Sequence, residues 1–338
     1  MDGFPKGIAN LGNTCYLNSL IQLLSNIHDM NNIIYQTNTS SFIEKLEYSV
    51  WDNWNQLLII LNTNSNKKEL LYPSGFLKSV QTIAKNNKRS FFQKNSQEDI
   101  TEFFLFFINT LHECVKTQVE IQITGTSQNT TDNIAIEVYK YQKDLYEKEG
   151  YSNIQNLFEG IMISSINTNT YHNYTPEPFY YLNIPITSNV PKHLVQYLEE
   201  FTSVELLTQD NKWFNDKNNT YEDAQKKIFF WKFPQILVIC FQRSLYNNIK
   251  NNTIVNFSHE LDLRSMVHCY KKTDMIYDLV GVCNHHGDPN NGHYTSFVLK
   301  NENWFFCSDE IVQIVEDKNH IISQNAYCLF YVKKNKTV

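Results

Sequence analysis

The sequence predicts an α+β protein. Helical periodicities dominate the first third of the chain, whereas past residue 133 the apolar residues come mostly in short runs broken by Asn, Pro and Gly. A third observation concerns size: 338 residues, 42% hydrophobic and 14% aromatic, supply a core for one large unit or two smaller ones. At this length roughly 75% of the unfolded surface is buried on folding. The first strong element is Tyr16–Ile27, where Leu17, Leu20, Ile21, Leu24 and Ile27 recur at helical spacing. Asn13 or Thr14 can cap its start, which puts Cys15 at a helix N-terminus. Leu46–Leu61 and Ser74–Lys85 also read as helices. Gln97–Cys114 is expected as a buried packing helix, with Ser96 and Asp99 at capping-box spacing and Ile100, Phe103, Phe104, Phe107 and Leu111 along one side. Beyond the polar stretch Thr124–Asn133, strands are expected at Gly160–Ile166, Phe179–Ile186, Gln235–Phe241, Ile276–Cys283, Tyr294–Leu299, Trp304–Cys307 and Tyr327–Val332. A helix at Leu194–Leu207 interrupts them, followed by a polar excursion from Thr208 to Lys227, and no internal repeat is visible. Helices first and strands later give two halves that meet across a cleft.

Composition narrows the function. The net charge is 29 − 35 = −6 with 19% charged residues, and no basic face is available to neutralise a phosphate backbone, so nucleic acid is not the expected partner. No apolar run reaches the roughly 18 to 20 residues of a bilayer span, and the start MDGFPKGIANLGN is no signal region; no membrane partner is expected. Seven cysteines are scattered without a C-x-x-C pair, which argues for reduced thiols inside the cell, cytoplasmic or nuclear, or in the host cell interior for a viral chain. Asn-X-Ser/Thr triplets such as Asn38-Thr39-Ser40 are then expected to be unmodified.

Ten histidines and seven cysteines allow many nucleophile and base pairs, so position must choose. Cys15 follows Gly12-Asn13-Thr14 at a helix start, where the macrodipole and free N–H groups favour the thiolate over a thiol of pKa about 8.5; taken alone it also reads as a small buried core residue. His293 opens a strand after the turn in HHGDPNNGHYTSFVL, where a base can reach into a cleft and Gly287 and Gly292 let the backbone turn and a substrate chain approach. His285 and His286 are expected to be loop-solvated.

With these residues in view, GIANLGNTCYLNSLIQLL (Gly7 to Leu24) resembles the cysteine box of the ubiquitin-specific proteases, a papain-like family of deubiquitinases. DLVGVCNHHGDPNNGHYTSFVLKNENWFFCSDEIV with NAYCLFYVKK resembles its histidine box. NSQEDITEFFLFFINTLH is similar to the family's Gln-Glu-Asp helix, LFEG and EPFYYLNIPI to the start of its palm strands, and FPQILVICFQR to the strand before its first blocking loop. The resemblance runs from about Gly3 to Val332. It implies a single catalytic domain over residues 3–334 with thumb (roughly 3–120), palm and fingers (roughly 121–334) lobes, fingers insertions near 160–178 and 205–230, and nothing left over for a targeting module.

Residue by residue, the resemblance makes Cys15 the nucleophile, His293 the general base, and the Asn10 amide with the Cys15 backbone N–H the oxyanion hole, each such donor being worth roughly 3 to 4 kcal/mol. The third triad slot departs from the family's usual Asp or Asn: Trp304-Phe305-Phe306-Cys307 is followed by Ser308 and then Asp309. Ser308 is expected to fix the tautomer of His293 without adding charge, and Asp309 to support the oxyanion region from beside it through water. Gln97 and Asp99 match residues that contact ubiquitin's tail, Asp99 pairing with an arginine or complementing its helix N-terminus, while Gly292 and Tyr294 wall a channel that admits only glycines. The family's two zinc-binding C-x-x-C pairs are replaced by Ile166–Asn169 and Asn215–Asn218, so no metal and no cofactor is expected. The implied activity is thiol-dependent hydrolysis of isopeptide or peptide bonds after the terminal glycine of ubiquitin, with ubiquitin and ubiquitinated proteins as partners. The competing readings are a catalytically weak or dead ubiquitin-binding domain of the same fold and a protease for a ubiquitin-like modifier.

Overall fold

The structure, a computed structural model, describes residues 4–63, 69–89, 92–93, 96–244, 249–270, 272–288 and 291–334. Gly3, at the expected start of the domain, and Pro289 and Asn290, in the turn before His293, lie outside the described residues. The chain opens on helices α1 (Cys15–Leu24), α2 (His28–Gln36), α3 (Tyr48–Asn62), α4 (Ser74–Asn86) and α5 (Ile100–Val115), and continues with α6 (Thr130–Glu149) and α7 (Asn153–Phe158). Then come β1 (Gly160–Asn167), β2 (His172–Phe179), β3 (Leu182–Pro185), β4 (Lys192–His193), α8 (Leu194–Phe201), β5 (Val204–Leu207), β6 (Trp213–Asn215), β7 (Thr220–Glu222), β8 (Ala224–Lys232) and β9 (Ile236–Gln242). The last part holds β10 (Val255–Asn256), β11 (Glu260–Asp262), β12 (Ile276–Asp288), β13 (Asn291–Lys300), β14 (Asn303–Ser308), β15 (Ile311–Ile314) and β16 (Ala326–Lys333). Helices and sheets are segregated along the chain, as an α+β fold requires.

The main sheet runs β15-β14-β13-β12-β16-β9-β3, with β11 paired to the start of β12; all neighbours are antiparallel except β3 and β9. Both faces are covered. Along β9, Ile236, Val238 and Cys240 join the core under the helices, while Leu237, Ile239 and Phe241 join a second core with α8 on the other side. This is why Gln235–Phe241 reads as a continuous apolar run and not as an alternation. The helical half is centred on Trp51, Trp54, Phe76, Phe103 and Phe107, with Trp54 and Phe76 each edge to face with Phe107, at 5.0 and 5.6 Å. A separate sheet, β2-β1-β8-β5, projects from the palm side, with the hairpin β6-β7 near its end. Among the described residues no helix is long and apolar enough to cross a membrane.

Several expected boundaries move. α1 ends at Leu24, and Ile27 caps the separate helix α2. α5 starts at Ile100, because Asp99 is the N-cap and its side chain accepts from the N–H groups of Thr101 and Glu102; Ser96 donates instead to Glu98. The expected strand Phe179–Ile186 is split between β2 and β3. The expected helix Leu194–Leu207 stops at Phe201, and Val204–Leu207 becomes an edge strand on β8, where the β-branched start and the pairing partner prevail. The excursion Thr208–Lys227 is not structureless: it carries β6, β7 and the start of β8. α6 had no periodic signal, since only Ile134, Ala135, Val138 and Tyr146 of its twenty residues are buried. Its terminal signals were present in Asn129, which caps Asp132, and in Gly150 at φ 85, a C-terminal left-handed position.

Candidate active site

Gly12 (φ 99) and Asn13 (φ 54) turn the chain sharply before α1, so that Cys15 is the helix's first residue. Thr14, at the cap, uses its hydroxyl to accept from the Leu11 N–H and not from the helix. All ten residues of α1 are buried, and the side-chain amides of Asn18 and Gln22 donate to the carbonyls of Ala9 (3.2 Å) and Lys6 (2.7 Å). Cys15 is 4% exposed. Burial pushes its thiol pKa up, the backbone N–H of Tyr294 pulls it down, Asp309 pushes it up again, and the N–H groups of Tyr16 and of Cys15 itself pull it down. The expected preference for the thiolate is therefore corrected: the helix-start donors are present, but desolvation outweighs them. A base is needed to take the proton.

The Tyr294 N–H that reaches the Cys15 thiol belongs to the residue after His293, so β13 brings His293 and α1 together. His293 Nε2 lies 2.9 Å from Ser308 Oγ at the end of β14, which leaves Nδ1 as the other ring nitrogen. The chain then turns through Asp309 at φ 49, and three consecutive side chains serve one site. Asp309 Oδ2 accepts from Asn10 Nδ2 and Oδ1 from Asn18 Nδ2, both at 2.8 Å, while Glu310 Oε1 accepts from the Asn10 backbone N–H at 2.8 Å. Asn10 Oδ1 meanwhile accepts from the N–H groups of Gly12 (3.0 Å) and Thr14 (3.2 Å). Asp309 thus reaches Asn10 directly, with no bridging water required, and one hydrogen of the Asn10 amide is left to donate. Asn18 was not identified from sequence; the available signal was a polar side chain one turn after Cys15 in an otherwise apolar stripe.

Beside Cys15 lies a cavity of about 230 Å³ lined by Gln97, Asp99, His285, Gly292 and Tyr294. Gln97 spans from the helical half to the palm: its Nε2 donates to the Gly292 carbonyl (3.0 Å) and its Oε1 accepts from the Gly292 N–H (3.3 Å). Asp99 Oδ1 caps α5, while Oδ2 accepts from the hydroxyls of Tyr327 (2.8 Å) and Tyr294 (3.4 Å). The four tail-contact candidates are therefore brought together. His285 is buried in the same cavity wall and not loop-solvated, and His286 lies on the other face of β12, its Nε2 3.2 Å from Thr295 Oγ1. A larger cavity of about 540 Å³ lies between α5 and α6, and none of these residues lines it.

Among the described residues no group of three or more His, Cys, Asp or Glu side chains is placed to hold a metal ion. Ile166–Asn169 spans the end of β1 and the turn after it, and Asn215–Asn218 the turn of the β6-β7 hairpin. Tyr171 stacks on Trp213 (5.4 Å, 8°), Lys217 lies 4.5 Å over the Tyr171 ring, and Glu222 accepts from Asn218 (2.6 Å), Asn215 (2.8 Å) and Thr170 (3.2 Å).

The chain is 26% identical over 362 residues to ubiquitin carboxyl-terminal hydrolase 4 of Candida glabrata, covering 97% of this chain and 41% of that protein. It is 26% identical over 333 residues to ubiquitin carboxyl-terminal hydrolase Usp2 of Drosophila melanogaster, covering 96% and 34%. It thus spans well under half the length of these two relatives. Among solved structures, the SAGA Ubp8/Sgf11/Sus1/Sgf73 DUB module bound to ubiquitin aldehyde superposes with a TM-score of 0.71 at 23% identity, over 98% of this chain and 70% of that one, a likeness of fold. The family model for ubiquitin carboxyl-terminal hydrolase matches residues 6–331, and the chain belongs to that family.

Proposed function

We propose that the chain is a deubiquitinating cysteine protease, with residues 3–334 as one catalytic domain of thumb, palm and fingers, that hydrolyses isopeptide or peptide bonds at the C-terminal glycine of ubiquitin. The single observation that carries this reading is the placement of Tyr294, the residue after His293, in the cavity beside the buried Cys15, with His293 Nε2 2.9 Å from Ser308 Oγ. His293 takes the Cys15 proton, and the thiolate attacks the carbonyl carbon of the terminal glycine. The oxygen that becomes negative faces the Asn10 amide and the Cys15 backbone N–H. His293 then protonates the leaving amine, a thioester forms on Cys15, and water activated by His293 releases the product acid. Ser308 orients the imidazole and Asp309 orients Asn10. Gln97, Asp99, Gly292 and Tyr294 are read as the walls that receive the diglycine tail, and the ubiquitin aldehyde held by the similar solved module supports ubiquitin as partner. Seven free cysteines support an intracellular setting, cytoplasmic or nuclear.

Ubiquitin carrying a C-terminal thiol-reactive warhead tests this. A covalent adduct that disappears in Cys15→Ala is expected. An adduct only with a ubiquitin-like modifier redirects the substrate, and tight ubiquitin binding with no adduct makes this a binding domain.

A further inference from the structure

His285 and Lys250 are not explained by the chemistry above. His285 is 8% exposed, stands opposite Tyr294 in the β12-β13 ladder, and turns its ring toward the cavity beside Cys15, 4.7 Å from the Tyr294 ring. Lys250 enters from the segment after β9, where Ser244 and Lys250 form an antiparallel bridge. The base of that segment is tied to the sheet by Arg243, which donates to the carbonyls of Ala326 (2.8 Å) and Asn251 (2.8 Å). The Lys250 ammonium reaches His285 Nδ1 (3.2 Å), the His285 carbonyl and the Gly287 carbonyl (3.2 Å).

An ammonium has hydrogens to give and no lone pair, so a contact with Nδ1 requires that nitrogen to be the acceptor. The proton of a neutral imidazole then sits on Nε2. Burial, followed by the charge of Lys250, pushes the His285 pKa down to about 4, and Asp99, His286 and His293 are the other titratable groups that act on it. Nε2 has no hydrogen-bond partner among the described residues. It lies against the backbone of Gly292: a Cβ built there would come within 2.1 Å of it, so any side chain at 292 would displace the ring. This nitrogen is not sealed within the fold, so a ligand entering the cavity can supply its acceptor. An extended peptide passing Gly292 on its way to Cys15 supplies backbone carbonyls at that spot.

We propose that Lys250 and His285 act as a recognition pair for the reaction proposed above, the lysine holding the imidazole as its Nε2–H tautomer and Nε2–H donating to a backbone carbonyl of the substrate's C-terminal strand. His285 is then a substrate-binding residue and Lys250 a positioning residue. Because Lys250 also binds two carbonyls at the end of β12, whose His286 is paired with His293, it secures the strand next to the one that carries His293.

The test rests on the deubiquitinase reading and separates from it. If the wild-type chain gives no Cys15-dependent adduct with the ubiquitin warhead, that reading fails, and the pair loses its substrate. If it does, steady-state cleavage of a fluorogenic ubiquitin conjugate decides the pair. His285→Leu is expected to raise KM by about tenfold with a smaller change in kcat. His285→Gln, whose amide nitrogen falls near Nε2, is expected to recover most of the loss, and His285→Asn, which mimics Nδ1, is not. Lys250→Met is expected to raise KM several-fold and Lys250→Arg to restore it. Imidazole nitrogen shifts of wild-type His285 should show a protonated Nε2 and a bare Nδ1, with the preference lost in Lys250→Met. An Nδ1–H tautomer in the wild type overturns the inference. Equal KM for the Gln and Asn variants does so too, as does a KM for His285→Leu within about twofold of wild type. Should His285→Leu not fold, the Gln and Asn pair and the wild-type tautomer still decide it.

Discussion

Asp309 holds the strained backbone of the site, at φ 49, a conformation that Asp tolerates better than most residues but at a cost of about 1 kcal/mol or more. The turn lets Ser308, Asp309 and Glu310 all point at groups around Cys15, an arrangement that an extended strand with alternating side chains would forbid. The two triad-region residues therefore divide the work: Ser308 acts on His293, Asp309 on Asn10. In the proposed mechanism a hydroxyl adds no charge to stabilise the imidazolium, whereas loss of the carboxylate frees the Asn10 amide. Ser308→Ala is accordingly expected to lower kcat/KM by about tenfold, and Asp309→Ala by about a hundredfold, close to the effect of Asn10→Ala. The Asn10→Ala, Asp309→Ala pair should be strongly non-additive, since both changes remove one donor. A milder effect for Asp309→Ala than for Ser308→Ala, measured on a fluorogenic ubiquitin conjugate, contradicts this division. Cys15, His293, Asn10 and Ser308 were legible as candidates because each sits in a contiguous motif. Asn18, Lys250 and the role proposed for His285 were not, because their meaning depends on contacts across 291 and 35 residues of sequence separation.

The distal hairpin β6-β7 shows how an element can be fixed without a metal. Its contacts to the β1-β2 turn are an aromatic stack, a cation over a ring and a carboxylate held by amides and a hydroxyl. Stacking contributes about 0.5–1.5 kcal/mol beyond area burial and an exposed cation–π contact about 0.5–1 kcal/mol, enough to order a short hairpin but not to stabilise a domain. Trp213→Ala is thus expected to speed amide exchange in β6 and β7 at least severalfold, with little change in the main sheet; unchanged exchange there would show that the stack is incidental. Hydrogen bonds from Asn218, then Asn215, push the Glu222 pKa down to about 2. With the folded value below the usual carboxylate range of about 4.3, this contribution is full above that range and is lost as pH falls through about 2. Hairpin protection should decline in that acid window, and Glu222→Gln should flatten the decline. This element was hidden in the sequence because short strands in a Lys- and Asn-rich stretch carry no alternation. The sparse stripe of α6 concealed that helix for the analogous reason, whereas β9 and α5, buried along their length, were plain.

At the scale of the whole molecule, the distribution of thiols bears on whether the fold uses a metal at all. Cys240, Cys328 and Cys283 sit side by side on β9, β16 and β12 under the helices, Cys114 lies within α5 and Cys307 within β14. Burial pushes the Cys283 and Cys328 thiols far up and those of Cys114 and Cys307 to about 12. A structural zinc site needs four ligands, and its cysteines must give up their protons on binding. Thiols held this strongly in the protonated form, on elements facing the core, oppose that step, while the end of β1 with the turn after it and the β6-β7 hairpin offer Ile166, Asn169, Asn215 and Asn218 where sulfur would be needed. The purified chain is therefore expected to carry well under one zinc per molecule. A chelator such as EDTA should leave both its melting temperature and its rate of labelling by the ubiquitin warhead unchanged. A stoichiometry near one, or a melting temperature that falls with chelator and recovers with zinc, would mean that the fold recruits ligands these thiols cannot supply as placed. The finger lobe would then have to rearrange around the ion, which amide exchange in β6 and β7 with and without zinc would reveal.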